Sequence, residues 1–131
     1  MKYIFDRGLQ DLAEDISALL FPHIQVNKIK CFRSYGSSTS RTIARCHALG
    51  KMMQLTIGVD AHYGLEFLNE RFSKLSVEDQ IKTMIHELMH IPQTFGGGFR
   101  HHDHVTDKNV DKMYRTYLKL KNETEKNYLK L

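Results

Sequence analysis

Only two of the 131 residues are cysteine, Cys31 and Cys46. That is too few for a disulfide framework, and the pair shows no CxxC spacing, so a small cross-linked scaffold is excluded. Both read as small buried hydrophobes, with one of them available to a local site. Long apolar runs are missing too. The longest, residues 16–21, is interrupted by Ser17 and falls far short of the roughly 20 residues a membrane-spanning helix needs. The N-terminus, Met1-Lys2-Tyr3-Ile4-Phe5-Asp6-Arg7, lacks the order of a secretory signal, charged, then apolar, then small. These absences predict a cytoplasmic protein with no membrane partner. There is no internal repeat, no low-complexity tract and no Pro/Gly/Ser linker, which leaves one domain over residues 1–131. Residues 1–22 form its N-terminal helical segment and residues 119–131 a polar tail expected to fray.

Charge of one sign is also scarce. The net +4 is spread along the chain without an arginine-rich stripe, so charge alone gives no argument for nucleic acid and describes a solvated surface. The two prolines, Pro22 and Pro92, each follow a helical pattern and end it. Leu9, Leu12, Ile16, Leu19 and Leu20 recur at helical spacing and predict a helix over 7–20. Residues 24–32 alternate loosely and suggest a strand, 35–40 a loop, and 41–47 a second strand. Residues 49–57 fit a strand or a short helix. Residues 63–68 fit a strand with Tyr63, Leu65 and Phe67 on one face.

The clearest element follows. Ser76 is a good N-cap with Asp79 three residues on, and Val77, Ile81, Met84, Ile85 and Leu88 make an apolar stripe. A glycine-rich turn at 96–98 comes next. A last helix begins near Thr106 and buries Val110, Met113, Tyr114 and Tyr117.

What the chain has in excess is histidine in one place: five of eight lie between His86 and His104. His86-Glu87-Leu88-Met89-His90 sets two imidazoles four residues apart, one turn apart on one helix face and opposite the apolar stripe. Two ring nitrogens so placed can reach one ion at ~2.0–2.1 Å. Glu87, beside the open position, can take a proton from water as general base, and zinc lowers the pKa of such a water to ≈ 7. A catalytic zinc site needs a third protein ligand and an open fourth position. Arg100-His101-His102-Asp103-His104 is its source, because the glycines at 96–98 can turn the chain back over the helix. Position 96 is Gly96, which excludes the metzincin spacing, and Glu123 and Glu125 lie in the tail.

The stretch Ile85-His86-Glu87-Leu88-Met89-His90-Ile91-Pro92, then Phe95, Gly97-Gly98, a histidine and Val105, resembles a metallopeptidase family of archaea and their viruses. Ser40-Arg41-Thr42-Ile43-Ala44-Arg45-Cys46-His47 resembles it as well. The likeness spans roughly residues 31–117 and is more distantly similar to SprT-like proteases. It implies an α+β minimal zincin: a small mixed sheet packed against helices, with the active-site helix beneath an edge strand. It also maps the family's third histidine onto His102, making His86, His90 and His102 the ligands of one zinc per chain and Glu87 the catalytic base. His104 is the serious rival for the third place and His101 the weaker one. Residues 63–68 suit either the edge strand or an interior one. Arg100, Tyr114 and Tyr117 could stabilise an oxyanion, although the tyrosines sit at core spacing. Asp103 could orient a ligand or cap the last helix. Cys46 and His47 match the family without an assignable role, and His23 and His62 read as surface or turn residues.

The function expected is zinc-dependent hydrolysis of a peptide or protein substrate. The alternatives are a metal-dependent nuclease or nucleic-acid-associated hydrolase and a non-catalytic metal-binding module. A bacterial rRNA-processing family ends a similar histidine motif in Asp-His, as Asp103-His104 does here, but has glycine after its first histidine. Glu87 therefore favours the peptidase, and a purely structural site needs no base.

Overall fold

The computed structural model describes residues 1–100 and 104–129; His101, His102, Asp103 and residues 130–131 lie outside it. The described chain runs β1 (Lys2–Phe5), α1 (Arg7–Leu20), a single 3-10 turn (Val26–Lys28), β2 (Ile29–Tyr35), β3 (Ala44–Ala48), α2 (Lys51–Ile57), β4 (Tyr63–Leu68), α3 (Asn69–Phe72), α4 (Val77–Met89) and α5 (Asp107–Leu129). The four strands form one mixed sheet in the order β1-β2-β4-β3, with β2 and β4 parallel and the other pairs antiparallel. The architecture is the small α+β, minimal-zincin-like domain expected.

Local chemistry sets the element boundaries. Asp6 ends β1 and caps α1, its Oδ1 accepting from Leu9 N at 2.9 Å while Oδ2 pairs with Arg33 at 3.0 Å. Gln10, buried on α1, donates to Ile29 O and accepts from Cys31 N. It supplies from a side chain the pairing that β1 is too short to give at that end of β2. The strand predicted over 24–32 starts at Ile29, because residues 26–28 form the 3-10 turn. The ambiguous 49–57 stretch is helical, closed by Gly58 in the left-handed region at φ 80°. β1 carried no strand signal in the sequence; its four residues are all exposed.

Tyr63–Leu68 is interior, between β2 and β3. The edge strand beside it is β3, with β1 at the opposite edge. Leu68 N donates to Ile43 O and Leu49 N to His62 O. Odd-numbered residues of this strand therefore bond inward to β4, and in an antiparallel ladder the even-numbered ones turn their N–H and C=O groups outward. Ala44 and Cys46 thus present backbone donors and acceptors along the open side.

The core lies between one sheet face (Ile29, Cys31, Tyr63, Leu65, Phe67) and the helices, where Ala13, Ile16, Met84, Ile85 and Leu88 are fully buried. Val77, in the first turn of α4, is exposed rather than part of the buried stripe. The polar stretch from residue 119 continues as helix to Leu129 rather than leaving the fold as a separate tail. Its start is anchored: Asp15 on α1 accepts from Tyr117 Oη at 2.6 Å and from Lys121 Nζ at 2.9 Å. Among the described residues no helix is long and apolar enough to cross a membrane.

Candidate metal centre

Ser76 Oγ accepts from Asp79 N and starts α4 at the expected place. Thirteen residues of helix then carry His86 and His90 to its C-terminal turn, where the rings meet edge to face. Their Nε2 atoms are 3.3 Å apart. Two nitrogens each ~2.05 Å from one tetrahedral ion would be separated by ~3.3 Å, so the spacing fits a shared zinc. His86, Glu87 and His90 each offer a ligand atom within 4.8 Å of the others, the one such group of three or more among the described residues. A pair of imidazole nitrogens of this kind suits zinc chemically, with the Glu87 carboxyl beside it.

Glu87 differs in one respect from its sequence reading. It is 6 % exposed, flanking the apolar stripe rather than standing opposite it. The three side chains open into a 440 Å³ cleft walled by Ala44, Arg45 and Cys46 of β3 and by Phe99 and Arg100. This cleft adjoins a 630 Å³ groove that also touches Ala44, His86 and Glu87, and runs on past Arg41, Leu75, Asp79 and Val110. Small side chains on the cleft face of β3 leave the edge strand close to the histidine pair.

A family described as "Putative phage metallopeptidase" matches residues 1–128. The chain belongs to this family. No curated protein and no solved structure matches it. The match extends the family likeness beyond residues 31–117, so β1, α1 and nearly all of α5 are part of the family domain. Both helices, α1 and α5, pack against α4 directly.

The remaining candidates separate. His102, His101 and Asp103 lie outside the described residues. His104 lines a different cavity, of 290 Å³, with His23, Met89 and Met113, and is not part of the metal-binding group. Arg100 lies at the cleft, its N–H donating to His90 O at 2.7 Å and its carbonyl 3.3 Å from His90 Nδ1. A backbone carbonyl on Nδ1 orients a ligand ring with its Nε2 directed towards a metal. Tyr117 is spent on Asp15, and Tyr114 packs under Lys82, whose Nζ is 5.2 Å from the ring centre; neither lines the cleft. The last helix is capped by Thr106, whose Oγ1 accepts from Asn109 N.

Other histidines have structural partners. His23 bonds Ile91 O just beyond α4, and His47 bonds buried Glu66 on the far face of the sheet. Sequence reasoning missed the roles of Cys46, Phe99, Gln54 and Tyr63. The first two line the cleft, and burial pushes the Cys46 thiol up to about 12, keeping it a neutral wall. Gln54 and Tyr63 hold the glycine loop.

Burial alone pushes the Glu87 carboxyl up to about 7, from an ordinary 4.5. Without metal, the folded chain keeps a proton between those values that the unfolded chain releases. Stability should therefore be highest below the lower value and fall as pH rises through the upper one. At roughly 1.4 kcal/mol per pH unit the full loss approaches ~3 kcal/mol. Metal-free Glu87→Gln should melt well above the metal-free parent at about pH 8 and level with it at about pH 4. A gap that stays constant across this range, measured by thermal melts in chelator, would contradict the burial.

Proposed function

We propose that this chain is a zinc metallopeptidase in which His86, His90 and His102 hold the ion and Glu87 is the general base. The observation that carries the reading is the buried Glu87 carboxylate set beside two converging imidazoles, directly under an edge strand. A zinc ion held there would supply Lewis acidity, polarising the scissile carbonyl and making a water nucleophilic at neutral pH.

The chain's own residues do the rest. An extended peptide can pair with the outward N–H and C=O groups of Ala44 and Cys46, laying its backbone along the cleft. That pairing is independent of side-chain sequence; selectivity belongs to the walls. Glu87 takes the proton of the attacking water and returns it to the leaving amine. Arg100 lines the cleft wall, and its guanidinium would stabilise the negative charge that develops on the carbonyl oxygen.

The test is cleavage of a library of unstructured peptides by the zinc-loaded chain, with single-stranded RNA and DNA in parallel. Peptide hydrolysis that stops on chelation and returns with zinc is the expected result. Metal-dependent cleavage of nucleic acid with intact peptides would overturn the reading in favour of a nuclease.

A further inference from the structure

The loop between α4 and α5 is held by two side chains that do not reach the metal-binding group. Tyr63, 3 % exposed on β4, accepts a hydrogen bond from Gly97 N at 2.9 Å through its hydroxyl and donates one to Gly98 O, also at 2.9 Å. Gln54, 5 % exposed on α2, donates from the same Nε2 to Leu49 O at 2.7 Å and to Gly96 O at 3.0 Å. Three successive loop residues are thus tied down by two buried polar groups.

The backbone leaves little freedom around them. Gly97 has φ 100°, and a Cβ there would collide with both Gln54 Nε2 and Leu49 O. Phe95 adopts φ 48°, costly for a residue with a side chain, and its ring is buried against Tyr63 with centroids 5.0 Å apart. Immediately after the clamp, Arg100 returns to His90 through its backbone. The segment carrying the remaining histidine candidates starts at the next residue.

We infer that Gln54 and Tyr63 are positioning residues for the metal centre: they fix the glycine loop, and through it Arg100 and the orientation of His90. The inference rests on the zinc reading above. Neither residue has a partner role in the hydrophobic core that requires its polar atoms. Tyr63 spends its hydroxyl on the loop that follows His90, and Gln54 ties the same loop to Leu49. A pre-organised loop holds the His90 ring in one orientation before metal arrives, so its loss should appear as weaker metal affinity. His86, inside α4, stays where the helix puts it.

The experiment is competitive chelator titration of zinc on the full chain as parent, Tyr63→Phe and Gln54→Met. Absorption spectra of the cobalt-loaded proteins and thermal melts accompany it. Tyr117→Phe is the control, since it removes a buried tyrosine hydroxyl bond, to Asp15, far from the loop. Tyr63→Phe keeps the ring against Phe95 and Phe99, so the loss is confined to the hydroxyl. Both loop variants should bind zinc roughly 10–100-fold more weakly, the range for outer residues that orient ligands, and should alter the cobalt spectrum. Tyr117→Phe should melt lower yet keep parental affinity and spectrum. Parental zinc affinity in both loop variants, with lowered melting as in Tyr117→Phe, would overturn the positioning role and leave the metal centre standing. A parent chain that takes up no zinc would overturn the metal reading itself, and the positioning role with it.

Discussion

Glu87→Gln should keep zinc and fold while slowing peptide hydrolysis by roughly 10²–10⁴-fold, the usual contribution of a positioned general base. The amide has the same shape and occupies the same buried place beside the histidine pair, but it cannot accept the proton of the attacking water. The loss should fall on kcat rather than KM, because edge-strand pairing of substrate with β3 does not involve the carboxylate. Zinc content measured on the same preparation separates a missing base from a missing metal. Cleavage at the parental rate with full zinc would remove Glu87 from the chemistry.

His86→Ala and His90→Ala should each eliminate stoichiometric zinc binding. In the proposed site the two Nε2 atoms, 3.3 Å apart, would supply two of three protein ligands, and either deletion would leave an incomplete shell. The fold should survive both changes, since each ring is only half-buried and the stripe of Met84, Ile85 and Leu88 beneath them is untouched. His90→Ala should have the further effect of loosening residue 100, because the ring's Nδ1 meets the Arg100 carbonyl. Equilibrium dialysis against zinc, with circular dichroism to verify helix content, checks both. Parental zinc binding by either variant would contradict the assignment of that ring.

The parts of this molecule that were legible in the sequence are those governed by local periodicity. Helix α1 and helix α4 carry strong apolar stripes with Asp6 and Ser76 capping them, and strand β4 alternates cleanly. The His-Glu-His offsets mark their own face of a helix, so their convergence needs no tertiary information. Strand β1 could not be read, because exposed Tyr3, Ile4 and Phe5 acquire strand geometry only by pairing with residues 32–35. Sheet order was equally hidden. Residues 63–68 and 44–48 have similar strand signals, and only the pairing of β4 with both β2 and β3 makes β3 the edge. Burial of Glu87 was invisible because it depends on β3 lying over the end of α4. Gln54 and Tyr63 carried no signal, being a lone amide in an ambiguous segment and an aromatic at a core position. The contacts that give them a role lie 42 and 34 residues away along the chain.

The most direct test of the central claim is the zinc-to-chain ratio of the purified parent protein, by elemental analysis after loading with one equivalent of zinc and exhaustive dialysis against metal-free buffer. One retained zinc per chain, released by His86→Ala or His90→Ala but kept by Glu87→Gln, is the predicted result. No zinc retained by the parent, or zinc retained equally by all three variants, would contradict a metal centre built on His86 and His90.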